Sequence, residues 1–181
     1  MRRVRVAVER ASSSNDAFGL LGLPAQFDLD PAVIEQAFFD KSKELHPDRF
    51  ASSPAAERVA ALSRSRALND AYQVLKKPVP RAEYLLERAG VKIGDNEQLE
   101  PGFLEDVLEM REELAEARVA KRISHIGELR TEMAARRKNI VDELPQLFQA
   151  NSFELIKQRL ILLRYIDRYL EECDAALDED S

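Results

Sequence analysis

The chain has 181 residues, 45% of them hydrophobic and 33% charged, a balance that supports one or two folded domains and excludes disordered or linker-like material. No apolar run reaches the roughly eighteen residues of a membrane span, and the one cysteine, Cys173, cannot close an internal disulfide. Residues 1–90 carry a net charge of +2 and residues 91–181 carry −8, so the halves should meet electrostatically different partners, and neither offers the concentrated basic face that nucleic acid requires.

Apolar residues recur at spacings of three and four almost throughout, and no alternating run of six residues suggests a strand, so the fold class is all-α. Residues 1–15, with Arg2, Arg3, Arg5 and Arg10 followed by serines, form an N-terminal tail. A short first helix covers Ala17 to Leu21 and ends at Gly22 and Pro24. The second opens at Asp30 as N-cap with Pro31 at the first helical position, turns Ile34, Phe38 and Leu45 inward, and stops at His46-Pro47 because proline lacks an N–H and disfavours helical geometry before it. The third runs from Ser53-Pro54 to about Leu75, with Val59, Leu62, Ala67, Leu68 and Tyr72 predicted to face inward. Pro78 and Pro80 break it, and a fourth covers Arg81 to Arg88 before Gly90.

Residues 91–101 contain Gly94, Asp95, Asn96 and Pro101 with little apolar material, which predicts a linker between two domains, 16–90 and 102–177. Phe103 to about Ala120, Arg122 to Leu144 and Ser152 to Leu177 read as three long helices, the last two separated by Pro145 and a turn at Asn151-Ser152. Three such antiparallel helices make a bundle. An acidic tail, 178–181, comes last.

His46-Pro47-Asp48 falls in the loop between two antiparallel helices. There proline fixes the backbone, histidine can cap neighbouring groups, and the carboxylate projects where an arginine of a partner can grip it bidentately. Alone the tripeptide is a weak signal, more often an ordinary interhelical turn with a capping histidine. Its setting between a helix opening at Asp30-Pro31 and one ending in Asn69-Asp70-Ala71-Tyr72-Gln73-Val74-Leu75 resembles the J-domain. With Arg49-Phe50, Pro80-Arg81-Ala82-Glu83-Tyr84-Leu85-Leu86, Phe103-Leu104 and Leu108-Glu109-Met110-Arg111-Glu112-Glu113-Leu114, residues 16 to 177 are similar, in order, to the HscB family, co-chaperones of iron–sulfur cluster assembly.

The resemblance implies an L-shaped protein, with a J-domain that stimulates the ATPase of a seventy-kilodalton heat-shock chaperone and a bundle that delivers the iron–sulfur cluster scaffold protein. On the chaperone side it implies His46, Pro47, Asp48, Arg49, Lys41 and Lys43. On the scaffold side it implies Leu104, Leu108, Glu109, Glu112, Glu116 and Tyr165. Two features depart from the family pattern. Glu35, Asp40 and Glu44 offset the basic charge of Lys41 and Lys43, and Glu105 stands where the family tends to be apolar.

Helical geometry gives a separate view of the bundle. At 100° per residue Phe103, Val107, Met110, Leu114 and Ala117 cluster within about 80° and form a core stripe, whereas Leu104 and Leu108 fall outside it beside Glu105, Glu109, Glu112 and Glu116. Geometry alone allows the two leucines to widen the core or to form a surface; the resemblance favours a surface. In the last helix Leu155, Leu162, Ile166, Tyr169, Leu170 and Cys173 are predicted to pack one side, with Tyr165 at the rim. Cys173 reads as a small buried hydrophobe, and His125 as a helix-surface residue.

No nucleophile motif, glycine-rich phosphate loop or metal-ligand spacing completes an active site. One Cys and two His also argue against a self-contained zinc or iron–sulfur centre, which needs about four ligands, so no resident metal or cofactor is expected. The rivals are a general J-domain adaptor for another protein client and a purely structural helical protein. The basic N-terminal tail admits a mitochondrial transit peptide, but acidic Glu9 and the lack of an amphipathic stripe count against one; the resemblance, with no N-terminal Cys-pair domain of the kind animal members carry, implies a protein of the bacterial cytoplasm.

Overall fold

A computed structural model describes residues 16–94, 97 and 101–179. The expected N-terminal tail and the end of the acidic tail lie outside them. All regular structure among the described residues is helical: α1 (Ala17–Leu21), α2 (Pro31–Glu44), a 3₁₀ turn (Pro47–Phe50), α3 (Ala55–Lys76), α4 (Pro78–Arg88), α5 (Pro101–Val119), α6 (Ile123–Gln149) and α7 (Phe153–Glu179). The chain divides into two compact units between Ala89 and Gly90.

In the first unit the helix ends obey local chemistry. Asp16 caps α1 by accepting from the Gly19 amide at 2.8 Å, and Gly22 closes it at φ 69°, where a Cβ would be strained. Asp30 caps α2 in the same way, accepting from the Ala32 amide at 2.8 Å. Lys77 is extended between α3 and α4, as the residue before a proline prefers. Phe18, Ile34, Leu68, Leu75 and Leu86 are fully buried and form the core. Phe38 of α2 stacks on Tyr72 of α3 with centroids 4.2 Å apart.

The fourth helix is tied down by three polar side chains of the first unit. Tyr84 Oη accepts from the Ala17 amide at 2.9 Å, and Arg88 pairs with Asp16. Arg81, only 6% exposed, donates to the Leu75 carbonyl at 3.2 Å and lies over the Phe27 ring. Burial pushes its pKa below the usual arginine range, opposed by the neighbouring Asp28 carboxylate.

Two expectations for this unit fail. α4 starts at Pro78 rather than Arg81, because a proline in the first helical turn gives up an N–H that has no intrahelical partner anyway. Val59 and Leu62 are 64% and 58% exposed, and the buried positions of α3 are Ala61, Leu68, Ala71 and Leu75. The spacing of three and four is real, but the core stripe is carried partly by alanines, so the larger apolar residues point to the wrong phase of the helix.

The second unit is a bundle in which α6 and α7 pair most extensively and α5 packs on both. The α6–α7 seam buries Ile126, Leu144, Ile156, Leu160 and Leu163 and is laced by the ion pairs Arg130–Asp174, Arg137–Asp167 at 2.6 Å and Arg159–Glu143 at 2.9 Å. The segment before α5 is not free of this unit: Arg164 donates to the Gly94 carbonyl at 3.3 Å, and Lys157 pairs with Glu97 at 2.6 Å.

Two further expectations are corrected here. Pro145 lies inside α6 rather than ending it; its missing N–H costs one backbone bond, while buried Leu144 and half-buried Phe148 hold the last turn in place. The chain reverses at the expected turn, with Asn151 at φ 52° and the Ser152 amide donating to the Leu147 carbonyl at 3.0 Å. Leu155 is 45% exposed, and Ile156 is the buried residue of that turn. Cys173 is fully buried one turn from buried Tyr169, and desolvation pushes the pKa of both groups up.

Candidate functional site

This fold presents two candidate surfaces, one in each unit, and each is described within its own unit. In the first, α2 ends at Glu44 and His46 starts the 3₁₀ turn as its N-cap, with Nδ1 accepting from the Asp48 amide at 3.4 Å. The Asp48 carboxylate lies 3.5 Å from the same ring nitrogen, and its side chain is 90% exposed. Proline at the first position of the turn fixes the backbone, so the carboxylate is held clear of both flanking helices. Arg49 folds back, its Nη1 3.5 Å from the Lys43 carbonyl at the end of α2.

The two lysines expected on this surface differ in surroundings. Lys41 pairs with Glu44 at 3.1 Å, whereas Lys43 lies 4.0 Å over the ring of Phe39. Phe39, 54% exposed, is a part of this surface that sequence reasoning missed. The adjacent Phe38-Phe39 pair carried the signal: consecutive residues are about 100° apart on a helix, so both cannot face one core. Of the two, Phe38 stacks inward on Tyr72.

In the second unit the core stripe of α5 is as expected: Leu114 and Ala117 are buried, and Phe103, Val107 and Met110 are half-buried. Leu104 and Leu108 are 42% and 53% exposed. Arg111 pairs with Glu172 of α7 at 2.7 Å, and both leucines lie within about 60° of Arg111 around the helix, so they border the α7 side of α5. Tyr165 of α7 is half-buried and lines a small cavity together with Val107 and Met110.

Beyond the leucines, Glu105, Glu109, Glu112 and Glu116 continue the exposed face and make no ion pair among the described residues. Their neighbours do: Asp106 meets Arg136 at 3.2 Å, and Glu113 meets His125 at 3.1 Å. His125 is therefore more than a solvated surface group, being half-buried with its other nitrogen 3.4 Å from Glu128. The arrangement is an apolar pair and an aromatic rim bordered by a row of exposed carboxylates, suited to a partner with an apolar patch edged by positive charge.

The comparisons with known proteins cover both units. Residues 16–84 match the family model of the DnaJ domain, and residues 99–174 match that of the HSCB C-terminal oligomerisation domain. The co-chaperone protein HscB homolog of Paraburkholderia xenovorans (strain LB400) is 32% identical over 170 residues, 93% of this chain and 97% of the relative. That of Aromatoleum aromaticum is 32% identical over 166 residues, 90% and 94% of the two chains. Among solved structures, chaperone HscB from Vibrio cholerae superposes with a TM-score of 0.80 at 30% identity, covering 92% of this chain and 99% of its own. Human co-chaperone protein HscB gives 0.80 at 27% identity, covering 88% and 81%. An all-α chain made of a J-domain and then a helical bundle, matched along nearly its whole length by these proteins, belongs to the HscB family of J-domain co-chaperones.

Proposed function

We propose that this co-chaperone stimulates the ATPase of a seventy-kilodalton heat-shock chaperone through His46-Pro47-Asp48 and brings it an iron–sulfur cluster scaffold protein held on α5 and α7. The observation that carries the reading is the Asp48 carboxylate, 90% exposed on a proline-fixed turn of the J-domain. A partner arginine can take that carboxylate in a bidentate, charge-assisted pair. Arg49, Lys41 and Lys43 border the contact, and Phe39 beside Lys43 adds an apolar element where Glu35, Asp40 and Glu44 offset the basic charge.

On the other unit, Leu104, Leu108 and Tyr165 supply apolar anchors, while Glu109, Glu112 and Glu116 orient a basic edge of the scaffold. The iron–sulfur cluster is cargo carried by the scaffold, and ATP hydrolysis belongs to the chaperone, so the chain has no resident cofactor and no catalytic residue. Relatives from bacteria support placement in the bacterial cytoplasm, and among the described residues no helix is long and apolar enough to cross a membrane.

The test is steady-state ATP hydrolysis by the chaperone with this protein, with the scaffold protein, and with both. Stimulation that becomes synergistic with both is the expected result. Stimulation indifferent to the scaffold supports the general J-domain adaptor, and no stimulation under any condition overturns the chaperone reading.

A further inference from the structure

The two halves of α5 are seated differently. Leu114 and Ala117, towards its C-terminus, are 2% and 1% exposed, whereas Phe103, Val107 and Met110, towards its N-terminus, stay half-buried. Beneath the N-terminal half the bundle leaves a largely apolar cavity of about 10 Å³ between Val107 and Met110 of α5, Met133 and Arg136 of α6, and Tyr165 and Ile166 of α7. Atoms lining such a void lack contact partners on one side, so this half of the helix gains less from packing than the other. One polar side chain reaches across: Arg136 Nη2 donates to Asp106 Oδ2 at 3.2 Å, and its Nη1 lies 4.0 Å from the Met110 sulfur. Asp106 and Met110 are one turn apart, so a single guanidinium spans the turn of α5 that contains Leu108.

We propose that Arg136 is a positioning residue for the docking face of α5: it seats the N-terminal half of the helix over the cavity and thereby sets the affinity of that face for its protein partner. The inference rests on the reading that Leu104 and Leu108 dock a scaffold protein. Arg136 acts from the far side, because Asp106 lies about 160° from Leu104 around the helix. Its effect therefore passes through the placement of α5 rather than through the leucines themselves. Tyr165 lines the same cavity as Val107, so a shift of this half of α5 also changes the spacing between the leucine pair and the aromatic rim.

Two measurements on the full chain test this, amide hydrogen exchange in the protein alone and calorimetric binding of an iron–sulfur scaffold protein from the same organism. Arg136→Gln is expected to speed exchange in residues 101–110 while leaving 112–119 and the α6–α7 seam unchanged, and to weaken scaffold binding about two- to fivefold, the scale of a half-exposed ion pair. Arg136→Lys should restore part of both, and Asp106→Asn added to Arg136→Gln should change little further, since the pair is already broken. Equal exchange in parent and Arg136→Gln overturns the seating with the docking reading intact. Faster exchange with parental affinity overturns the positioning role. A parent chain that binds no scaffold overturns the docking reading and the affinity claim with it, and the exchange result still separates that failure from a failure of the seating.

Discussion

The two surfaces of this co-chaperone are built by opposite rules. The His46-Pro47-Asp48 turn is an interruption of regular structure: proline cannot continue the helix, histidine caps the 3₁₀ turn, and the carboxylate is left 90% exposed because no helix accompanies it. The α5 face is the reverse, one side of an uninterrupted helix, defined only by what α6 and α7 leave uncovered. On the proposed reading, function at the break is specified by residue identity, whereas function on the face is specified by phase. Mutations should therefore act at the turn through a single atom and on the face through summed burial.

The sharpest test of that contrast is Asp48→Asn, which keeps the shape of the side chain and removes only its charge. Loss of a charge-assisted bidentate contact at a hot spot costs on the order of 2 kcal/mol or more. Chaperone ATPase stimulation should vanish at concentrations where the parent saturates, with melting temperature nearly unchanged, because the carboxylate is 90% exposed and its contact with the His46 ring, at 3.5 Å, lies at the surface. Parental stimulation by this variant would break the J-domain reading. Next in size is the separation of the two proposed activities. A fragment of residues 1–90 keeps the first unit whole, including the Tyr84, Arg88 and Arg81 contacts that hold α4. It should stimulate the ATPase and give no calorimetric signal with the scaffold. Scaffold binding by the fragment places the client surface in the wrong unit.

Leu104→Ala with Leu108→Ala probes the face. At 42% and 53% exposure these leucines contribute little to folding, so the melting temperature should move far less than in Leu114→Ala, whose 2% exposed side chain predicts a cost of about 2 to 5 kcal/mol. Scaffold affinity should fall by about 1 to 3 kcal/mol per leucine, about 5- to 150-fold each. If the double variant melts like Leu114→Ala, the leucines belong to the core after all.

Legibility in the sequence divides along the same line. Helix starts and stops were legible where a cap, a glycine or a proline acts locally, as at Asp30-Pro31, at Gly22 and at the end of α3 before Pro78. Pro145 misled because tertiary packing around Leu144 and Phe148 outweighs the one bond it removes. The face of α5 was readable because its stripe is made of large residues; that of α3 was not, because Ala61 and Ala71 share its core while Val59 and Leu62 face out. The proposed role of Arg136 had no signal in sequence at all. It depends on a cavity and on a contact across 30 residues, which periodicity does not encode.

The smallest expected effect concerns the carboxylate row. Glu109, Glu112 and Glu116 make no ion pair among the described residues, while adjacent Asp106 and Glu113 do, so this row is left facing solvent with its charge uncompensated in a half of the chain that carries −8. Exposed charges of this kind steer an approaching partner more than they hold it, since water and salt screen them over about 10 Å at 0.1 M ionic strength. Replacing all three by Gln should slow association with the scaffold a few-fold at low salt, on the order expected for lost steering, and flatten the dependence of that rate on ionic strength. Dissociation should stay near the parental rate, because the apolar anchors are intact. Stopped-flow association across a salt series separates the two: an unchanged slope means that the glutamates are a solvated face with no part in docking, and a large rise in the dissociation rate means that at least one of them is buried against the partner and works as the leucines do.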